Sequence, residues 1–248
     1  AGLVAQKQAG VTEPSLDGQS PAEQLAAMRK EIARLQKAAL GEWHENLRPA
    51  LDTAGIHVLD HAELSDKQRQ QAERIFLEEI FPVLTPQGYD PGHPFPHISN
   101  RSLNLAVGIR DQLGHEHFAR LKVPSLLPRL VPLKRSSGGE RRDGTVPHHH
   151  YFVWLEQVIA ANVQHLFPGM TILATAAFRV IRDADIEIQE LEAGDLLETM
   201  SARVYKRQFG DAVRLETSAG MSDASRRVLM ANLEIDPKDE ITLDDPLD

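Results

Sequence analysis

Residues 81–109, FPVLTPQGYDPGHPFPHISNRSLNLAVGI, connect the end of a predicted helix to the first clear β-strand of the chain. Five prolines and two glycines lie between Phe81 and Ile98. Each proline restricts its own φ angle and biases the preceding residue towards an extended conformation. Long loops that are ordered in this way usually hold domains together or carry function. We therefore predict an ordered connection over 82–101 in which Phe95 and Ile98 are buried.

The segment before this loop predicts two helices. Ser20, Pro21 and Glu23 have the spacing of a capping box, and the helix that follows runs to a glycine stop at Gly55. Apolar residues recur along it at three- and four-residue steps, at Leu25, Met28, Ile32, Leu35 and Ala39. A second capping box begins at Ser65. The apolar face of this second helix consists of Ala72, Ile75, Phe76 and Ile80.

The segment after the loop changes to the two-residue period of β-strands. Apolar residues alternate from Leu103 to Ile109, which predicts a half-buried strand with a turn at 111–114 and a hairpin partner at 119–123. The later pattern predicts a polar loop over 134–150, a helix over 155–166, a strand over 172–188, a helix over 192–209, a short strand at 213–215 and a last helix capped by Ser222. This order predicts an α+β fold in which helices cover an antiparallel or mixed sheet.

Composition excludes several classes of function. The 248 residues contain no cysteine, so disulfides, thiolate zinc sites and cysteine nucleophiles are excluded. No apolar run approaches the ~18 residues of a membrane-spanning helix, and the N-terminus lacks a secretory pattern. The net charge is −9. Because general binding of a polyanion requires broad positive potential, we expect any such contact to be local.

Sequence motifs supply no nucleotide cradle and no clear metal site. Neither GxxxxGK[ST] nor GxGxxG occurs. The histidines 148–150 fall in the predicted polar loop, where adjacent histidines bind metals only loosely, and we interpret them as solvated. His93 and His97 lie in the proline-rich loop. For these two we favour hydrogen bonding to the backbone over proton transfer, with an interface contact as the alternative.

Three carboxylates form an acidic row on the predicted strand over 172–188. Asp183, Asp185 and Glu187 alternate, so they share one face. Paired carboxylates can perform acid–base or metal chemistry. We favour a solvated face, with a subunit or domain contact to Arg179 or Arg182 as the alternative.

One stretch resembles a known family. DPGHPFPHISNRSLNLAV, residues 90–107, resembles the start of the middle, or head, domain of polyphosphate kinase. FARLKVPSLLPRLVPL, FVWLEQVIAANVQHLFPGM and FRVIRDADIEIQELEAGDLLETMSARVYKRQFGDAVRLE follow in the family's order. Upstream, LQKAALGEWHENLRPALDTAGIHVL and SDKQRQQAERIFLEEIFPVLTP resemble the last helices of its N-terminal domain. The resemblance covers nearly the whole chain.

The resemblance implies two domains. Residues 1–81 would be a partial N-terminal helical domain, built as a hairpin, and residues 82–248 the head domain. The family's opening helices and its catalytic half, which carries the phosphorylated histidine, would be missing. The resemblance also implies an enzyme that transfers the terminal phosphate of ATP to polyphosphate. Its Mg²⁺ and ATP would be bound mainly by the missing half, so we assign no catalytic, cofactor-binding or metal-binding residue in this chain.

The family's partners follow from the same resemblance. The head domain would contribute to dimerisation and help to enclose the active-site tunnel, so we expect a homo-oligomer without nucleic acid. The expected location is the cytoplasm, with membrane association of the full-length enzyme as a further expectation. The alternative is a free-standing, non-catalytic interaction module with the head fold.

One basic region of the sequence could contact anionic phosphate substrates. Its members are Lys122, Arg129, Lys134, Arg135, Arg141 and Arg142. Two interpretations stay open, namely the polar rim of a hairpin and loop, and a patch that steers polyphosphate or nucleotide.

Overall fold

The structure is a computed structural model and describes residues 2–90, 92, 95–134, 136–137, 148–183 and 210–243. Several predictions fall outside these residues and stay predictions. They are the helix over 192–209, the acidic row beyond Asp183, most of the loop over 134–150, and His93.

The helical run predicted from Ser20 to Gly55 is confirmed. Helix α1 (Leu3–Gln8) precedes α2 (Pro21–Glu42), a π-helical turn (Trp43–Leu47) and α3 (Arg48–Thr53). Ser20 and Glu23 form the predicted capping box, in which the backbone N–H of Ser20 donates to the Glu23 carboxylate over 2.8 Å. The helical run ends at Gly55, whose φ of 81° favours glycine. A Cβ at Gly55 would also lie 2.9 Å from the carbonyl oxygen of His148.

The second predicted helix is also confirmed. Helix α4 (Asp66–Ile75) begins with the Ser65–Gln68 capping box and continues through a π-helical turn (Phe76–Ile80) and a 3₁₀ turn (Phe81–Val83). Ala72, Phe76 and Ile80 are buried. Later in the chain, α5 (Leu155–Ala161) is followed by a 3₁₀ turn (Val163–Leu166), and α6 (Asp223–Leu233) begins at the predicted cap, Ser222.

Two mixed sheets lie beside these helices. Their strands are β1 (Ile56–Leu59), β2 (Pro86–Tyr89), β3 (Leu103–Arg110), β4 (Glu116–Lys122), β5 (Leu130–Pro132), β6 (Ser136–Ser137), β7 (His148–Trp154), β8 (Thr171–Arg182), β9 (Ala212–Ser218) and β10 (Glu240–Leu243). The larger sheet has the order β10-β9-β8-β3-β4-β2, and the smaller has the order β1-β7-β5 with β6 beside β7. Only the β9–β10 and β1–β7 pairs among these strands are parallel. The predicted β3–β4 hairpin is confirmed.

The prediction of a half-buried β3 is wrong, because this strand is buried on both faces. Leu105 and Val107 pack into a core with α4 and α5, whereas Ala106 packs into a second core with α6. The reason is position, since β3 is central in the six-stranded sheet and has apolar layers on both sides. Its alternating small residues therefore face a second core instead of water.

The prediction that the histidines 148–150 lie in a loop is also wrong, although His148 is exposed as expected and the other two are half-buried. They open β7, which pairs in parallel with β1, and His150 lies opposite Ile56. The backbone N–H of His150 donates to the carbonyl oxygen of Gly55 over 2.8 Å. Because the partner strand is distant in sequence, the local pattern of polar residues carried no sign of this pairing.

The core around α4 and α5 spans the two predicted domains, whereas the described part of the proline-rich loop packs into the second core. Ile98 is fully buried, as predicted, whereas Phe95 is half-buried and its ring lies 5.1 Å from that of Tyr89. Phe76, before the predicted boundary at residue 81, shares its core with Leu121. The boundary itself stays a prediction. Among the described residues, no helix is long and apolar enough to span a membrane.

Candidate functional site

The most distinctive site is a cleft lined by four cationic side chains. It has a volume of about 610 Å³ and lies between residues 99–103, the end of β4 with the loop that follows, β8 and the start of α5. The cations are Arg101, Lys122, Arg129 and Arg179. In a chain whose net charge is −9, this is a local concentration of positive charge. We refer to it as the basic cleft.

One wall of the basic cleft is a tight turn that holds Arg101 in an unusual conformation. The φ angle of Arg101 is 60°, in the left-handed region that L-residues with long side chains rarely occupy. Its backbone N–H donates to the carbonyl oxygen of Val180 over 2.8 Å. The hydroxyl of Ser102 donates to the carbonyl oxygen of Ser99 over 2.8 Å, and Asn100 Oδ1 accepts from the backbone N–H of Arg182 over 2.9 Å. The bonds to Val180 and Arg182 clamp the turn onto β8, and the Ser102–Ser99 bond closes the turn itself.

Two of the four cations are positioned by buried carboxylates. Arg129 donates to Glu156 over 2.8 Å and lies over the ring of Trp154, 5.1 Å from its centroid. Arg179 Nε donates to Glu216 Oε2 over 2.7 Å. Glu156 and Glu216 are each only 3% exposed, so both ion pairs are shielded from water. Shielded pairs hold their geometry better than solvent-exposed pairs do.

The other two cations have no such partner. Among the described residues, no side-chain hydrogen bond or ion pair reaches the exposed side chains of Arg101 and Lys122. The positive charge that is not neutralised by a neighbouring carboxylate therefore lies on these two groups. Both can turn towards a ligand without breaking a hydrogen bond or ion pair to a described side chain.

Positive charge continues from Lys122 towards the proline-rich loop. Arg120 is 5% exposed, and its guanidinium donates to Asn104 Oδ1 over 2.8 Å and to the amide oxygen of Gln87. No carboxylate pairs with Arg120 in the part of the chain that the structure describes, and burial lowers the pKa of Arg120. Partial burial, together with Arg182, Arg120 and Lys122, also lowers the pKa of His97.

The predicted basic region is only partly gathered at this site. Lys122 and Arg129 line the basic cleft. Lys134 is exposed, and its backbone N–H donates to Gln71 Oε1 over 3.0 Å. Arg135, Arg141 and Arg142 lie outside the described residues, as do Asp185 and Glu187.

Sequence reasoning missed the other two members of the cleft. The sequence places Arg179 only as an alternative contact of the acidic row, whereas among the described residues Arg179 forms an ion pair with Glu216. The arginine at position 101 did not itself indicate a left-handed conformation, and its backbone bond to β8 joins residues far apart in sequence. A clue was available in the Asn-Arg-Ser turn itself, since Asn and Ser commonly occur in turns.

The histidines of β7 form a different arrangement. His57 Nε2 and His149 Nδ1 are 2.8 Å apart, and His57 Nδ1 lies 2.9 Å from Asp52 Oδ1. The ring of Tyr151 stacks on that of His57 at 4.8 Å. Within the described residues, no group of three or more His, Asp or Glu side chains is arranged to bind a metal ion. The His57–His149 hydrogen bond joins the side chains of β1 and β7.

Comparison with known proteins gives one consistent result. A family model described as the polyphosphate kinase N-terminal domain matches residues 1–59, and one described as the polyphosphate kinase middle domain matches residues 67–248. A polyphosphate kinase 1 from Chlorobaculum tepidum is 42% identical over 100% of this chain and 35% of its own length. A polyphosphate kinase from Mycobacterium marinum is 39% identical over 100% of this chain and 33% of its own length.

A solved structure agrees with these matches. The crystal structure of polyphosphate kinase from Porphyromonas gingivalis matches with a TM-score of 0.67 and 25% identity, over 89% of this chain and 30% of that one. The chain thus spans about a third of the length of these relatives.

Proposed function

The chain belongs to the polyphosphate kinase family, and on that premise we propose that it forms part of an enzyme that transfers the terminal phosphate of ATP to a growing polyphosphate chain. The observation that carries the proposal is the tandem match of both family domains, in order, across the chain. The basic cleft supports it, because an enzyme of this kind must hold a phosphate polyanion.

We assign the phosphoryl-transfer step to residues outside these 248. The transfer would pass through a phosphohistidine, a covalent intermediate that divides one difficult step into two easier ones. Mg²⁺ would neutralise phosphate charge when bound. The described residues contain no group of side chains that fits a Mg²⁺ site. The sequence also has no phosphate-cradling loop motif, so no residue of this chain is assigned to Mg²⁺ or ATP.

The part of the enzyme formed by this chain would supply domain packing, dimerisation and enclosure of the active-site tunnel. Support comes from apolar side chains that face water on the long N-terminal helical run. Met28 is 49% exposed, Leu35 is 52% exposed and Leu47 is 50% exposed. Exposed apolar surface of this kind is typical of contacts with other domains or subunits. We also propose a cytoplasmic location, which agrees with a chain that lacks cysteine.

A chimera tests this assignment. The 248 residues would replace the corresponding segment of the Chlorobaculum tepidum enzyme, to which they are 42% identical. We expect the chimera, given ATP, Mg²⁺ and a polyphosphate primer, to lengthen the primer and release ADP in step. A folded chimera that makes no polymer, beside an active parent enzyme, would contradict the proposal.

The isolated chain provides the complementary experiment. We expect no primer growth from the 248 residues alone, because they span about a third of the relatives' length and contain no assigned nucleophile. Magnesium-dependent ADP release that keeps pace with polymer formation would contradict this expectation.

A further inference from the structure

We propose that the basic cleft binds a chain of linked phosphates directly, with Arg101 and Lys122 contacting the phosphate oxygens and Arg129 and Arg179 forming the wall behind them. This inference rests on the proposed function, because it names a binding site for that reaction's polymer. It places a phosphate contact in the middle domain itself.

The distribution of charge in the cleft is the first argument. Arg129 and Arg179 are held by buried carboxylates, so their positions are set before a ligand arrives. Arg101 and Lys122 reach no carboxylate among the described residues, so an incoming anion would not have to displace an internal partner. A site with fixed and adjustable cations on separate elements suits a ligand that carries several anionic groups.

The conformation of Arg101 is the second argument. A left-handed arginine is less stable than an asparagine or glycine at the same position. The fold nevertheless clamps it there through Ser99, Asn100 and Val180. Strained residues that the surrounding structure holds in place are concentrated at binding sites. Because the Arg101 side chain is exposed, its internal contacts do not explain why arginine occupies this turn.

The lining of the cleft favours inorganic phosphates over a nucleotide. Its apolar members are aliphatic or proline side chains: Leu103, Val123, Pro124, Leu127 and Leu155. None of the described lining residues is aromatic, so this part of the chain offers the cleft no ring on which a base could stack. Linked phosphates, whose recognition needs only cationic and N–H donors, match this lining.

Binding by the purified chain tests the inference directly. Isothermal titration would use orthophosphate, triphosphate, long-chain polyphosphate and ATP, with poly-glutamate as a polyanion of different chemistry. We expect triphosphate and polyphosphate to bind more tightly than orthophosphate and poly-glutamate, with affinity falling between about 50 and 200 mM salt. Equal affinity for ATP and triphosphate would still support a linked-phosphate site, with nucleotide as its source. Equal binding of poly-glutamate and polyphosphate would overturn the inference.

Substitutions then locate the site. Arg101→Asn keeps a residue that tolerates the turn and removes the cation, and we expect about a tenfold loss of triphosphate affinity. Arg101→Lys keeps the charge and should lose less. The matched control is Arg110→Asn, which removes the same charge at the opposite end of β3 and should bind like the parent chain. If the two asparagine variants have the same affinity, the site is not at Arg101, and the inference fails.

His97 supplies an independent readout. Its pKa is lowered by burial and by Arg182, Arg120 and Lys122, and phosphate bound beside Lys122 would offset part of that positive charge. We therefore expect the pKa of His97, followed by NMR, to rise when triphosphate is added. Tight triphosphate binding that leaves this pKa unchanged would place the ligand elsewhere and overturn the inference.

The binding experiments on the basic cleft and the activity of the chimera test the two proposals separately. An active chimera together with no binding at the cleft would refute only the cleft. An inactive chimera with tight, Arg101-dependent binding would refute only the assigned reaction.

Discussion

Replacing Arg101 by asparagine should stabilise the fold. The φ of Arg101 is 60°, and a left-handed conformation costs a residue with a Cβ about 1–2 kcal/mol. The free-energy penalty is smaller for asparagine because its short side chain forms local hydrogen bonds. The arginine side chain is exposed and makes no hydrogen bond or ion pair within the described residues, so the substitution removes none of these interactions. We expect the free energy of unfolding of Arg101→Asn to increase by about 1 kcal/mol.

Thermal unfolding measures this effect. For a domain of this size, about 1 kcal/mol corresponds to an increase in melting temperature of about 2–4 °C. Arg101→Ala keeps the left-handed strain, so its melting temperature should stay near that of the parent chain. Glu234, with a φ of 54° after α6, is the other described non-glycine residue with positive φ. Glu234→Asn should also stabilise the fold but should not change triphosphate binding.

One result would contradict the strain at Arg101. If Arg101→Asn melts at or below the temperature of the parent chain while keeping its circular dichroism spectrum, the arginine is not strained. The conformation of Arg101 would then give no support to a binding role for this residue.

Three further perturbations have defined outcomes. Phe178→Ala, at a fully buried site, should cost about 3–5 kcal/mol in denaturant unfolding, and Phe95→Ala clearly less because that ring is half-buried; equal costs would contradict this. A hydrogen bond from His117 is the main reason that the pKa of Asp111 is lowered to about 2. The ionised Asp111 carboxylate should therefore stabilise the fold fully above its ordinary pKa of 3.8, and this contribution should be lost as the pH falls to about 2. Melting curves of Asp111→Asn and the parent chain should therefore converge near that pH, and a constant gap would refute the linkage. Arg29→Ala removes a bidentate ion pair in which the Arg29 guanidinium donates to the two carboxylate oxygens of Asp239 over 2.6 and 2.8 Å. The substitution should accelerate amide hydrogen exchange in α2 and leave exchange in β3 unchanged.

Local features of the fold could be predicted from the sequence, whereas distant pairings could not. The capping boxes at Ser20 and Ser65 involve residues three positions apart, so their sequence spacing was sufficient. The β3–β4 hairpin was also predictable, because its strands are adjacent in sequence. The β1–β7 pair joins Ile56 to His150, and no local pattern in either strand indicates the other.

The residues of the basic cleft were likewise predictable from the sequence only where they lie close together in the chain. Lys122 and Arg129 belong to one basic stretch, and composition alone drew attention to them. Arg179 comes to the cleft from another strand of the sheet, and Arg101 from a turn whose geometry depends on β8. Burial of β3 on both faces was likewise unpredictable, because alternation indicates two different faces without indicating what covers each of them.

The parallel pairing of β1 with β7 has a mechanical consequence. The match to the N-terminal domain of the family ends at residue 59, where β1 ends, and the match to the middle domain begins at residue 67. The segment between the two matches, residues 60–66, is short enough to act as a hinge, but β1 pairs with β7 at four residue pairs. Rotation of the N-terminal helices about residues 60–66 would have to break the backbone hydrogen bonds between β1 and β7. We therefore expect a displacement of the N-terminal helices to be transmitted through β7 to Trp154, the ring beneath Arg129.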